Sequence, residues 1–126
     1  MNLVDSSAWL EYFAAGTNAR HFAKVIEDSA RLIVPTLCIY EVFKRVLAQR
    51  SEDDGLRAVA FMERGRIVDL DRATALSAVR VSVDHGLPMA DGIIYATAVS
   101  YGAALWTQDA DFDGLKGVRY FPRTPA

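Results

Sequence analysis

Five short apolar runs, set 15 or more residues apart for most of the chain, constrain the fold more than any other feature. They are Asn2-Leu-Val-Asp5, Leu32-Ile-Val-Pro35, Ile67-Val-Asp-Leu70, Ala103-Ala-Leu-Trp-Thr107 and Val118-Arg-Tyr-Phe121. None shows the strict alternation of a strand with one wet face, so they read as strands covered on both sides. Helical segments fill the intervals. Ser6 or Ser7 caps a first helix carrying Trp9, Leu10, Tyr12 and Phe13, which Gly16 stops. A second runs from Asn18 to about Ser29 with Phe22, Val25 and Ile26 inward. Thr36 opens a third, holding Ile39, Val42, Phe43, Val46 and Leu47.

Ser51 to Glu63 forms a fourth helix. Its acidic start, Glu52-Asp53-Asp54, suits the positive end of the helix dipole, and Leu56, Val59, Ala60 and Met62 face a neighbouring helix. Asp71 to about His85, and Met89 to Tyr101 after Gly86-Leu87-Pro88, complete the set. Alternating strands and helices predict an α/β domain with a mainly parallel five-stranded sheet between helical layers. One domain spanning residues 1–126 accommodates this, without a linker or repeat. The chain enters its first strand at once and has no apolar run of membrane-spanning length, which predicts a cytoplasmic protein and no membrane partner. A single cysteine, Cys38, agrees with a reducing compartment.

Asp5, Glu41, Asp91 and Asp109 are far apart in sequence, yet each stands where a strand runs out or where a helix begins beside such an end. The carboxyl ends of parallel strands line one crevice, so these acids can converge. Carboxylates brought together repel one another, and a cation relieves that repulsion. Oxygen donors favour Mg²⁺ or Mn²⁺, whereas Cys38, His21 and His85 lack soft-metal spacing. Such a site suits phosphate-ester hydrolysis. Each acid also has a local explanation: Asp5 as a helix cap, Glu41 as half of an ion pair, Asp91 as a dipole partner, Asp109 as a turn residue.

A net charge of −2 argues against a generally basic nucleic-acid binder. Lys44, Arg45, Arg50, Arg57, Arg64 and Arg66 nonetheless offer phosphate contacts, or else simply solvate the two middle helices. Trp9, Tyr12, Phe13, Tyr40 and Phe43 lie near the first two acids, where core packing competes with base stacking. Cys38 reads as a small core residue, and Ser6 and Ser7 lack a base that would make either a nucleophile.

The order of the motifs carries a resemblance. Leu3-Val-Asp-Ser-Ser7, Pro35-Thr36 leading to Glu41-Val42, Pro88-Met-Ala-Asp-Gly-Ile-Ile-Tyr-Ala-Thr-Ala98 and Leu105-Trp-Thr-Gln-Asp-Ala-Asp-Phe112 resemble the PIN-domain ribonucleases, and most closely the VapC-type toxins of prokaryotic toxin-antitoxin pairs. The resemblance covers essentially the whole chain. It implies a three-layer α/β/α fold and a Mg²⁺- or Mn²⁺-dependent endoribonuclease acting on single-stranded or looped RNA. It makes Asp5, Asp91 and Asp109 metal ligands, with Glu41 acting through ordered water. Asp111 is a substitute for Asp109, and Ser7 and Thr107 are supporting hydroxyls. A homodimer and a VapB-type antitoxin are the implied protein partners. Two other readings stand beside it: a catalytically silent PIN-like interaction protein, and a phosphoacceptor receiver domain using Asp69 and Lys116.

Overall fold

The computed structural model describes residues 1–124. Its strands are β1 (Asn2–Val4), β2 (Leu32–Pro35), β3 (Arg66–Val68), β4 (Ala104–Thr107) and β5 (Val118–Tyr120). Its α-helices are α1 (Ser6–Phe13), α2 (Ala19–Ile26), α3 (Thr36–Gln49), α4 (Glu52–Met62), α5 (Arg72–His85) and α6 (Met89–Ser100). Short 3-10 turns cover Ser29–Arg31 and Ala110–Phe112. All five strands are parallel and lie in the order β3-β2-β1-β4-β5. With the six helices this is the three-layer α/β/α sandwich expected from the alternation of elements.

The two innermost runs are the most apolar because both their faces are covered. Leu3, Val4, Leu32, Ile33 and Val34 have almost no exposed surface, and Leu105 extends the same layer. Trp9, Phe22, Val42, Met62, Ile94 and Phe112 close over the sheet from the helices and the second 3-10 turn. At the edges β3 and β5 are more exposed and only three residues long, which limits the unpaired backbone they offer. Among the described residues no helix is long and apolar enough to cross a membrane.

Several local details differ from the sequence expectations. Neither Ser6 nor Ser7 caps α1; Asp5 holds the N-cap position, but its side chain makes no capping bond. After α1 the left-handed residue is Ala15, at φ 52°, so the chain turns one residue before Gly16. In α4 the buried face is Gly55, Ala58 and Met62, while Leu56 points to solvent. The reason lies in α3: the Phe43 ring occupies the space where a side chain at position 55 would be, 2.9 Å from an ideal Cβ. That close approach rotates Leu56 outward. The third strand also begins at Arg66 and ends at Val68, leaving Asp69 and Leu70 exposed beyond it.

Gly65 sits equally tightly before β3. A Cβ there would lie 2.9 Å from Val34 Cγ2 and 3.1 Å from the Leu32 carbonyl oxygen, which the sheet holds in place. Gly65→Ala is therefore expected to destabilise the fold by about 1–3 kcal/mol. Urea denaturation checks this, and an unchanged midpoint would contradict the packing described.

Candidate active site

The order of the strands creates the site. The chain lays β2 and β3 on one side of β1 and then β4 and β5 on the other, so a crevice opens at the carboxyl ends of β1 and β4. Val4 is in register with Trp106, and the Asp5 backbone N–H donates to the Trp106 carbonyl at 3.0 Å. Asp5 and Thr107 consequently emerge side by side. Thr107 Oγ1 donates to Asp5 Oδ2 at 2.8 Å, and Ser7 Oγ donates to the same oxygen at 2.7 Å. Thr107 Oγ1 then accepts the Asp109 N–H at 2.9 Å. Asp5 is only 3% exposed, yet it lines the cleft. Both bonds fall on Oδ2, and Oδ1 is not among the buried atoms left unpaired.

The other acids arrive from separate elements. Glu41 lies in the second turn of α3, where Ser6 Oγ donates to its Oε1 at 2.7 Å. Asp91 lies in the first turn of α6. Asp109 follows β4 and accepts the Asp111 N–H at 2.9 Å, so its turn-forming role and its place in the pocket coexist. Asp5, Glu41, Asp91 and Asp109 all line one cleft of about 460 Å³, together with Ser6, Ser7, Tyr40, Lys44, Arg45 and Arg123. Asp91, Asp109 and Asp111 each present a carboxylate oxygen within 4.8 Å of the other two. Asp111 lies beside Asp109 and Asp91, whereas Asp5 and Glu41 line the cleft outside this trio. An all-oxygen donor set of this kind fits a hard divalent cation such as Mg²⁺ or Mn²⁺.

The electrostatics follow from this crowding. Burial raises the Asp5 carboxyl above its ordinary range; the Ser7 and Thr107 hydroxyls pull it down, and Asp109 and Glu41 push it up. Asp91 is raised to about 7, first by loss of water and then by the charges of Asp109 and Asp5 and its contacts with Asp111. Cys38 lies fully buried, and burial followed by the Asp5 charge holds its thiol well above the usual range. It is a protonated core residue, not a nucleophile.

Other sequence candidates sort cleanly. Among the named aromatics Tyr40 is the one on the acid cleft, 60% exposed, whereas Trp9, Phe13 and Tyr12 pack with Phe61. His21 stacks on Phe121 and His85 meets the edge of Tyr95, and neither lines the cleft. Asp69 lies beyond the edge strand β3, and Lys116 is also off the cleft, which removes the geometric basis of a receiver site. Sequence reasoning missed Ser6 as the partner of Glu41 and missed Arg123 altogether. The position of Arg123 just past β5 was the available signal, because that is the same carboxyl edge of the sheet.

A parallel sheet in this order, with acids gathered at its switch point, defines a PIN-like α/β/α protein. The model of the family described as "PIN domain" matches residues 3–118, and the chain belongs to that family. No curated protein matches it in sequence. Among solved structures it is similar to a toxin-antitoxin complex from Klebsiella pneumoniae, with 21% identity and TM-score 0.79 over 98% of this chain and 100% of that one. VapC20 of Mycobacterium tuberculosis, described as a Sarcin-Ricin loop cleaving toxin, aligns at 13% identity and TM-score 0.71, covering 90% and 92%. PAE2754 from Pyrobaculum aerophilum aligns at 27% identity and TM-score 0.67, covering 93% and 81%.

The raised Asp91 carboxyl has a consequence for stability. Between the ordinary aspartate range and about pH 7 the folded, metal-free chain holds a proton that the unfolded chain has released. This contribution is present in full below about pH 4 and is lost as pH rises through about 7. In EDTA, Asp91→Asn should therefore raise the melting temperature more at pH 8 than at pH 5. Equal shifts at both pH values in a thermal melt would contradict the crowding of these acids.

Proposed function

We propose that this protein is a Mg²⁺- or Mn²⁺-dependent endoribonuclease of the VapC type, the toxin of a type II toxin-antitoxin pair. The observation that carries the reading is the meeting of Asp5, Glu41, Asp91 and Asp109 in one cleft, with Asp111 beside them, at the switch point of a PIN fold. None of these five forms an ion pair within 4.0 Å among the described residues, so internal pairing does not account for them. The VapC20 neighbour, described as a Sarcin-Ricin loop cleaving toxin, supports the same class of chemistry.

In this reading Asp91, Asp109 and Asp111, with Asp5 nearby in the cleft, would hold the cation. When bound, such a cation would supply positive charge at the scissile phosphate and lower the pKa of attacking water toward neutrality. Ser7 and Thr107 fix the rotamer of Asp5. Ser6 fixes Glu41, which receives a hydrogen bond from ordered water. Because Ser6 and Ser7 are committed to carboxylates and Cys38 is sealed in the core, the attacking oxygen comes from water. Its bond to phosphorus forms as the bond to the 3′ oxygen breaks, and a proton passes to that oxygen, giving a 5′-phosphate and a 3′-hydroxyl. The exposed Tyr40 ring at the mouth suits an unpaired base, which favours single-stranded or looped RNA.

Two protein partners complete the proposal. A VapB-type antitoxin is supported by the toxin-antitoxin assembly of the Klebsiella neighbour. A second copy of the chain suits the outer face of α5 and α6. There a hollow of about 350 Å³ is lined by Ala75, Ala78, Val79, Val83, Met89 and Ile93 among others, with no charged residue. Val83 and Met89 are 74% and 76% exposed, a large apolar surface for water to cover. One patch pairing with itself is the rule for twofold dimers.

Asp5→Asn or Asp91→Asn should lower cleavage of end-labelled RNA by roughly 10²-fold or more, and Thr107→Val by roughly 10- to 100-fold. EDTA should abolish the cuts. Cleavage at the wild-type rate by Asp91→Asn would refute the site. A folded wild type that neither cuts a broad RNA panel nor binds Mn²⁺ would instead indicate a silent interaction protein. For the dimer, Val83→Asp should convert it to monomer in light scattering; an unchanged mass would place the interface elsewhere.

A further inference from the structure

The basic residues on and just after the middle helices do not share one task. Arg57 pairs with Asp54 at 3.4 Å, Arg64 lies over the Phe61 ring at 5.0 Å, and Arg66 lies over Tyr101 at 5.4 Å. Each is occupied away from the acids. Arg45 differs, because it follows Glu41 by four residues and so projects from the same face of α3. Gln49 continues that row one turn further on. Glu41 lines the acid cleft, Gln49 lines an adjoining groove of about 580 Å³, and Arg45 lines both. Arg123 is the other cation common to the two.

The backbone that leads to Arg123 is tied deep into the fold. Asn18 is 5% exposed, and its Nδ2 donates to the Pro122 carbonyl at 2.9 Å and to Gln108 Oε1 at 3.1 Å. The Phe121 N–H donates to the Thr107 carbonyl at 2.9 Å, and the Phe121 ring packs between His21 and Trp106. The backbone leading to Arg123 is thereby tied to the same strand that supplies Thr107. Glu11, the acid of the adjoining groove, is directed to the backbone N–H of Asn18 at 3.0 Å. Neither Arg45 nor Arg123 forms an ion pair within 4.0 Å among the described residues, although carboxylates line the same cleft.

Two guanidinium groups without an ion-pair partner among the described residues, at the junction of the acid cleft and an open groove, suit a chain of evenly spaced phosphates. We infer that Arg45 and Arg123 form a phosphate saddle that leads the RNA strand from the acid cleft into the groove beside Arg50 and Gln49. Asn18 acts as a positioning residue through the Pro122 carbonyl. This assignment rests on the nuclease reading and adds the direction in which the strand leaves the scissile bond.

The test is binding of a fluorescein-labelled, mixed-sequence, single-stranded oligoribonucleotide to the full chain across a salt series in Mg²⁺, with Asp91→Asn in every protein to prevent cutting. Arg45→Ala and Arg123→Ala should each reduce the slope of log affinity against log salt by about 0.7, equivalent to about fivefold weaker binding at 0.1 M salt. Arg57→Ala should change neither quantity. Asn18→Ala, checked for folding by thermal melt, should reproduce the loss from Arg123→Ala and add nothing to it in the double variant. Unchanged slopes for both arginine variants would overturn the saddle, as would arginine-dependent binding confined to polyglutamate. Parallel cleavage assays with the unmodified site separate the two claims. Cuts with unchanged slopes would remove the saddle and keep the nuclease; reduced slopes without cuts would keep the saddle and remove the nuclease.

Discussion

A carboxylate buried at the end of the central strand is the constraint on which the remaining architecture turns. Taking Asp5 out of water costs several kcal/mol unless hydrogen bonds compensate. Its compensation comes from both directions in the chain: Ser7 from the helix that follows, and Thr107 from a strand about a hundred residues later. Thr107 can serve only if β4 pairs directly with β1 and in the observed register. A shift by one residue would replace its hydroxyl with the Trp106 indole, which instead reaches Asn2 Oδ1 at 2.9 Å. Sheet order, register and the polarity of the crevice are therefore aspects of one requirement.

That requirement explains why the acids stand as a group. Once Asp5 is fixed, Asp109 follows within two residues of Thr107, and Asp111 is held by the turn that Asp109 itself closes. Glu41 and Asp91 come from helices whose starts are set by Pro35 and Pro88. Loss of water, and after it the charges of Asp109 and Asp5, raise the carboxyl of Asp91. Gathered carboxylates of this kind suit a divalent cation, the role proposed for them above.

Much of this was readable from sequence because its causes are local. Apolar runs of four or five residues announce covered strands, and prolines and small polar residues mark where helices begin. The convergence of Asp5, Glu41, Asp91 and Asp109 follows from parallel topology alone. What could not be read depends on pairs that meet only in three dimensions. Nothing near Leu56 reveals that Phe43 will fill the space over Gly55 and turn Leu56 to solvent. Nothing around Ser6 indicates Glu41 as its acceptor, and Arg123 gains its place from a buried asparagine at the opposite end of the chain. The helix break at Ala15 was hidden by the adjacent glycine, which local rules favour.

The pairing of β1 with β4 also has a consequence for timing. Contacts of such high sequence separation form late, after the cost of closing a long loop has been met. On a ribosome, Asp5 emerges 102 residues ahead of Thr107 and waits without it, Asp109 or Asp111 until β4 has been made. A growing chain thus carries the first half of the acid cleft with no second half to complete it. Assembly of the cleft therefore waits on the docking of β4 against β1, and that single pairing completes it.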